Sequence, residues 1–241
     1  LTTDNLEVHA SSNAQAVNVA GSVAYGKTAG IGAALAYNGL DNHIGAYLAG
    51  GSVTAKTPST GVSVDVEGKN TGKIYGLGAA VAASQKAAVN GTVVVNHGGS
   101  DTEAAVGEVR SEEGNNTAKE TTIANAKDVK VKAESDDVRV AAAGNISASG
   151  KVAVGGAVAY NDVGGASTST AKASQKTRAA LNKTTLTHVT SGATSVKAVD
   201  GSTLTTTAAG VGGAGNVAVQ GAAATALVNK TVTAEEQDTF V

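Results

Sequence analysis

The sequence has no cysteine, no methionine and no tryptophan, with a single proline (Pro58), a single phenylalanine (Phe240) and five tyrosines among its 241 residues. Each absence closes a class. Without cysteine there is neither a disulfide framework nor a thiolate-ligated metal site. One proline, and 31 glycines that follow no period of three, exclude collagen. Aromatics at 2 % cannot build the large-side-chain core of an ordinary globular domain. Charge is sparse and balanced, with a formal net of -2, which argues against a nucleic-acid or polybasic membrane role. Long apolar runs are also missing. The stretch from Gly30 to Tyr37 is typical, whereas a membrane helix needs about 20 apolar residues and a membrane barrel carries aromatic girdles. No nucleic acid and no membrane-spanning segment is therefore expected. The opening Leu1-Thr2-Thr3-Asp4 carries neither a start methionine nor a signal-peptide pattern, so the chain reads as a mature or excised piece.

What is present is small and repeated. Glycine and alanine make up nearly a third of the chain. The segments Leu6–Asn38, Val64–Asn96, Val129–Asn161 and Thr194–Ala226 align without a gap, at successive offsets of about 58–65 residues. One column holds Ile31, Val89, Val154 and Val219, and the next Ala33, Gly91, Gly156 and Gly221. Another runs Val23, Val81, Ile146, Val211, and a small-only column runs Ala20, Gly78, Ala143, Ala208. Asn38, Asn96 and Asn161 close three copies, and Ala226 departs from them in the fourth. Repeat modules are accordingly set at 6–63, 64–128, 129–193 and 194–241 of one segment spanning 1–241.

Within each copy the apolar period is two, as in Ile31, Ala33, Leu35 and Tyr37, which is a strand signal. A glycine every few residues costs a helix about 1 kcal/mol each. The expected fold is all-β, a right-handed parallel β-helix (β-solenoid) with about three coils per 58–65-residue repeat. Coils stacked about 4.8 Å apart would then make a rod of roughly 55–60 Å. The column Ile31, Val89, Val154, Val219 is expected to face inward. The stretches 39–63, 97–128 and 162–193 carry the charge and polar bulk, notably Ser111-Glu112-Glu113-Gly114-Asn115-Asn116 and Ser167-Thr168-Ser169-Thr170. Part of them is expected to be strand (Ile44, Ala46, Leu48, Val53) and the rest protruding loops.

Candidate chemistry is thin. Gly210-Val211-Gly212-Gly213-Ala214-Gly215 matches G-x-G-x-x-G with Glu235 beyond it. The next residues, Asn216-Val217-Ala218-Val219, are strand-like where a dinucleotide site needs a helix. His9, His43, His97 and His188 occupy unrelated repeat positions, and zinc needs three or four convergent ligands. Asp136-Asp137, Glu112-Glu113 and Glu235-Glu236 lack the basic and aromatic company of a carbohydrate-active cleft. Gly98-Gly99-Ser100-Asp101 misses the calcium-turn pattern, and no G-x-S-x-G elbow occurs. The sequons at Asn90, Asn115, Asn145, Asn182 and Asn229 are what a Thr/Asn-rich chain produces by chance. The Thr205-Thr206-Thr207 run lacks the regular Thr-x-Thr array of an ice-binding face. The expectation is no enzyme and no catalytic, cofactor or metal residue.

The run from Gly150 to Asn161 and that from Gly215 to Ala223, together with the polar strand from Ala46 to Ala55, resemble the repeat regions of large type V-secreted proteins of Gram-negative bacteria. They are similar to fusobacterial leukotoxin and filamentous-haemagglutinin-like adhesins, exported as autotransporters or by two-partner secretion. The resemblance implies a right-handed β-helix, a secreted or cell-surface location and an internal slice of a larger virulence protein. It brings no catalytic residue. The expected role is structural, a rigid stalk with display loops. Its partners would be a host-cell receptor, matrix or a neighbouring bacterial surface protein. Two rivals are a self-assembling extracellular filament subunit, through end-to-end self-association, and a carbohydrate-active β-helix enzyme.

Overall fold

Alternation at period two, interrupted by glycine, leaves extended chain as the regular structure these residues sustain. The computed structural model describes residues 1–111, 115–164 and 175–240. The chain is all-β, 81 % strand, with no helix among the described residues. It makes four passes. The first comprises β1 (Asn5–Ser12), β2 (Gln15–Gly26), β3 (Ala29–Gly39) and β4 (Asn42–Leu48), followed by the short β5 (Gly51–Thr54). The second comprises β6 (Val62–Asn70), β7 (Lys73–Ser84), β8 (Ala87–His97) and β9 (Ser100–Val106), then a small antiparallel hairpin of β10 (Glu108–Arg110) and β11 (Asn116–Ala118). The third comprises β12 (Thr121–Ser135), β13 (Val138–Ser149), β14 (Val152–Val163) and β15 (Gln175–Asn182). The fourth comprises β16 (Thr184–Asp200), β17 (Thr203–Ala214), β18 (Val217–Val228) and β19 (Lys230–Gln237).

Corresponding strands of successive passes pair in parallel and make four sheets: A (β1-β6-β12-β16, with β5 also on β12), B (β2-β7-β13-β17), C (β3-β8-β14-β18) and D (β4-β9-β15-β19). Leu6 pairs with Val64, Val64 with Val129 and Val129 with Thr194, so one repeat offset is one step of the stack. Three coils per repeat, and with them a rod of roughly 55–60 Å at about 4.8 Å per coil, are therefore corrected. Each repeat forms a single layer of four strands. The physical reason is strand length. The short alternating runs read from the sequence are halves of strands up to 17 residues long, and two-residue links such as Asn13-Ala14 carry the chain from sheet A straight into sheet B. The chain then turns back at Lys27-Thr28 and its counterparts, so that C packs on B and D on A.

The two halves bury different things. Between A and D lies an aliphatic core that includes Val64, Val66, Ile123, Val129, Val131, Leu181 and Leu186. Between B and C the buried set is Ala36, Val94, Ala141, Ala143, Ala157 and Ala159. This second interior is thin. A Cβ on Gly78 would stand 2.6 Å from Thr92 Cγ2 and 2.7 Å from Val94 Cγ2. The room that Gly78 leaves is taken by Thr92 and Val94 and none remains for a further branched column, so the expectation for that column is overturned: Ile31, Val89, Val154 and Val219 point outward, at 74, 43, 37 and 54 % exposure.

Asparagines occupy the thin interior instead. Asn38 Nδ2 donates to Asn96 Oδ1 at 2.9 Å, and Asn96 Nδ2 to Asn161 Oδ1 at 2.8 Å. Each amide also donates across to sheet B, to the carbonyls of Tyr75, Val140 and Thr205 in turn. Buried amides need such partners, because an unpaired one costs about 1–3 kcal/mol. The stretches expected to be part strand and part protruding loop are mostly strand among the described residues, since they hold sheet D and the starts of β12 and β16. Ile44 and Ala46 in β4 and Val53 in β5 are buried as expected for strands. Glu112, Glu113, Gly114 and Ser167 to Thr170 lie outside the described residues.

Candidate functional site

The densest chemistry lies on the outer face of sheet D. Residues two apart on a strand share a face, so Asp101 and Glu103 of β9 point the same way, as do Lys176 and Arg178 of β15. The parallel register sets Asp101 beside Lys176 and Glu103 beside Arg178. From the first layer, Tyr47 Oη donates to Glu103 Oε2 at 2.7 Å. Lys176 Nζ donates to Glu103 Oε1 at 2.8 Å. The β10–β11 hairpin lies over this face. Its Arg110 pairs with Asp101 and stands 3.5 Å from Glu103, while its Glu108 pairs with Arg178. Arg178 also reaches Glu235 of β19, and Asn116 and Asn182 donate to the two oxygens of Glu108. Gly107 makes the hairpin's approach possible: φ is 80°, and a Cβ would run into the Asn182 carbonyl.

The electrostatics follow from this packing. Burial alone would push the Glu103 carboxyl up. The hydrogen bonds from Lys176 and Tyr47 and the charges of Lys176 and Arg110 outweigh burial and hold it below the usual carboxylate range. Burial, then the bond and charge of Glu103, push the Tyr47 phenol far above its ordinary value. Burial would lower the Arg178 guanidinium, but Glu108 and Glu235 keep it firmly charged. Glu103, Tyr47 and Arg178 are thus fixed in one protonation state across the neutral range, which suits a clamp between layers better than proton transfer. No family model, curated protein or solved structure matches the chain.

A second polar cluster runs through the junction of the two halves. Asp137 accepts from Asn70 at 2.6 Å and from Ser100 Oγ at 2.5 Å, and Gln175 bridges Ser135 and Asp200. Arg139, 1 % exposed, donates to the carbonyls of Gly98 and Asp162. Burial lowers its guanidinium, against the raising effect of Asp137, Asp41 and Asp162.

The residues singled out in the sequence disperse. Gly210, Gly212 and Gly213 lie in β17 and a strand follows Gly215, so the helix a dinucleotide site requires is absent there. Gly210 and Gly212 make room for Gln220 across the interior. His9 faces Glu67 at 3.5 Å, His43 faces Asp101 at 3.9 Å and His97 faces Asp162 at 3.1 Å, each one layer away. His188 packs on the Ala126 carbonyl and Thr194 at the bulge in β12. Among the described residues no three His, Asp or Glu side chains gather as a metal site. The sequon residues Asn90 and Asn145 are buried. The sheet D cluster escapes sequence reading because β9 and β15 stand further apart in the chain than the other paired strands. Ser100 and Gln175 are 75 residues apart, against 65 for Asn96 and Asn161, so an ungapped comparison does not bring the two strands together. The available signal was an acidic i, i+2 pair in one inter-repeat stretch and a basic i, i+2 pair in the next.

Proposed function

We propose that the chain is a slice of a right-handed β-solenoid acting as a stiff display stalk in a secreted or surface-exposed bacterial adhesin or toxin of the type V-secreted kind. The observation that supports it most is the identity of repeat offset and strand register through four layers. Layers built this way can be added without changing the cross-section, which is how solenoids make length. The β10–β11 hairpin and the charged edge around sheet D are the places where contacts with a receptor, matrix or neighbouring surface protein would be displayed. Among the described residues no helix is long and apolar enough to cross a membrane.

The test is a chain with a second copy of residues 129–193 inserted after the first. Small-angle scattering is expected to show a particle lengthened by about 4.8 Å at constant cross-sectional radius. A widened particle would reject the stalk. Binding to an array of matrix and cell-surface ligands, compared with a variant in which residues 108–118 are replaced by a short Gly-Ser turn, tests display. Binding that survives the replacement undiminished would remove the hairpin from the role.

A further inference from the structure

Sheet C presents an outer face that the molecule itself gives no reason for. From the turn toward sheet D its layers read Ile31, Ala33, Leu35, then Val89, Gly91, Val93, then Val154, Gly156, Val158. The branched residues form two ridges along the stack, and Ala33, Gly91, Gly156 and Gly221 form the valley between them. All of the large members are exposed. A Cβ added at Gly156 or Gly221 would meet nothing within 4 Å, and at Gly91 only the Gly156 carbonyl at 4.0 Å. Internal packing therefore does not require glycine at these three places. Glycine within a strand weakens it, and it commonly marks where another backbone approaches closely.

We propose that this face is an interface in which a second copy of the chain packs its own sheet C. Three features select that occupant. The relief is self-complementary. A two-fold axis parallel to the stack lays the Leu35–Ala223 ridge of each copy into the Ala33–Gly221 valley of the other and keeps the whole length of β3 and its counterparts in register with their copies, the isologous arrangement of common dimers. The face carries no charge between Ala29 and Tyr37 or in the matching stretches of the other layers, so identical faces do not repel. The area is sufficient. Four strands about 4.8 Å apart and some 12 residues long cover about 750 Å², close to the roughly 800 Å² each partner gives to a stable complex. A bilayer is a poorer occupant, because the end strands would expose unpaired backbone to lipid.

Sedimentation equilibrium of the full chain from about 1 to 200 µM, a span that brackets micromolar association, tests the interface. The wild type is expected to close at a dimer. Gly156→Val fills the valley, where the molecule has open space, and is expected to weaken dimerisation at least about tenfold without lowering the melting temperature measured at dilution where both chains are monomeric. Val154→Glu, on an exposed ridge, is expected to do the same. A wild type that stays monomeric overturns the proposal. So do oligomers that keep lengthening with concentration and ignore both substitutions, which would place association at the end strands. A monomer that instead co-sediments with uncharged phosphatidylcholine vesicles, and loses this in Val154→Glu, would assign the face to lipid and overturn it equally.

Discussion

At the scale of single residues, size decides which way a side chain points. Sheets B and C approach so closely that alanine, glycine and hydrogen-bonded asparagine fill most of the space between them, Thr92 and Val94 enter opposite Gly78, and the repeated branched columns of sheet C are left outside. Alternation at period two was legible in the sequence, but which set of alternate residues faces inward was not. Hydrophobicity pointed to the larger residues, whereas the clash a Cβ at Gly78 would make points to the smaller ones. At dilution where the chain is monomeric, Val154→Asp is expected to change stability by no more than about 0.5 kcal/mol, as exposed substitutions do. Ala157→Asp, only 1 % exposed, is expected to cost several kcal/mol, about what an unpaired buried charge demands. Urea titration of the two variants checks the assignment. Glu103 gives a second expectation. Its carboxyl is held below the ordinary 4.5 in the folded chain. Its contribution is therefore present above that value and lost as pH falls through the depressed one. Glu103→Gln is expected to lower stability at pH 7 by about 1.5–3 kcal/mol, the scale of hydrogen bonds to a charged group, since Lys176 can turn to solvent and Arg110 keeps Asp101. The gap from wild type should narrow in acid, read as the urea midpoint against pH.

At the scale of elements, each strand holds its place by a column that runs from layer to layer. The Asn38–Asn96–Asn161 column links three strands of sheet C side chain to side chain and ties each to sheet B. Asn96→Ala removes the middle member, leaves the Asn38 amide only its bond to the Tyr75 carbonyl, and takes the side-chain donor from Asn161 Oδ1 and the Val140 carbonyl. The expected loss is about 1–3 kcal/mol, with β8 and β14 exchanging amide protons faster than β6 and β12. Equal exchange in both pairs would show that the column carries no special share. The repeated terminal asparagine was visible in the sequence as a copy boundary. Its burial was not, because asparagine at the end of an apolar run reads as a turn residue. Sheet D was legible only in part. Ile44, Ala46 and Leu48 announced β4, but β9 carries Asp101 and Glu103 and β15 carries Lys176 and Arg178. Charged positions of this kind look like loop until the hairpin that covers them is in place.

At the scale of the whole molecule, one layer per repeat means that the hydrogen bonds between layers run along the stack. Tension applied between Leu1, in the first layer, and Phe240, against the fourth, therefore loads the layers in series. The bonds between two layers would then open as a zipper from one end, with no need to slide past each other all at once. Each layer that lets go releases one repeat of chain, the 65 residues that separate Asn96 from Asn161. At about 3.3–3.6 Å per extended residue, that is roughly 200 Å of slack, some forty times the layer spacing. A stalk made this way is stiff in compression and yields in tension as a succession of long extensions. Such a tether can absorb a pull before whatever it holds is torn loose. Single-molecule stretching of the chain between its termini is expected to give steps of roughly 200 Å, the extended length of one repeat. Steps a third of that length would instead mean that the unit of rupture is smaller than the repeat.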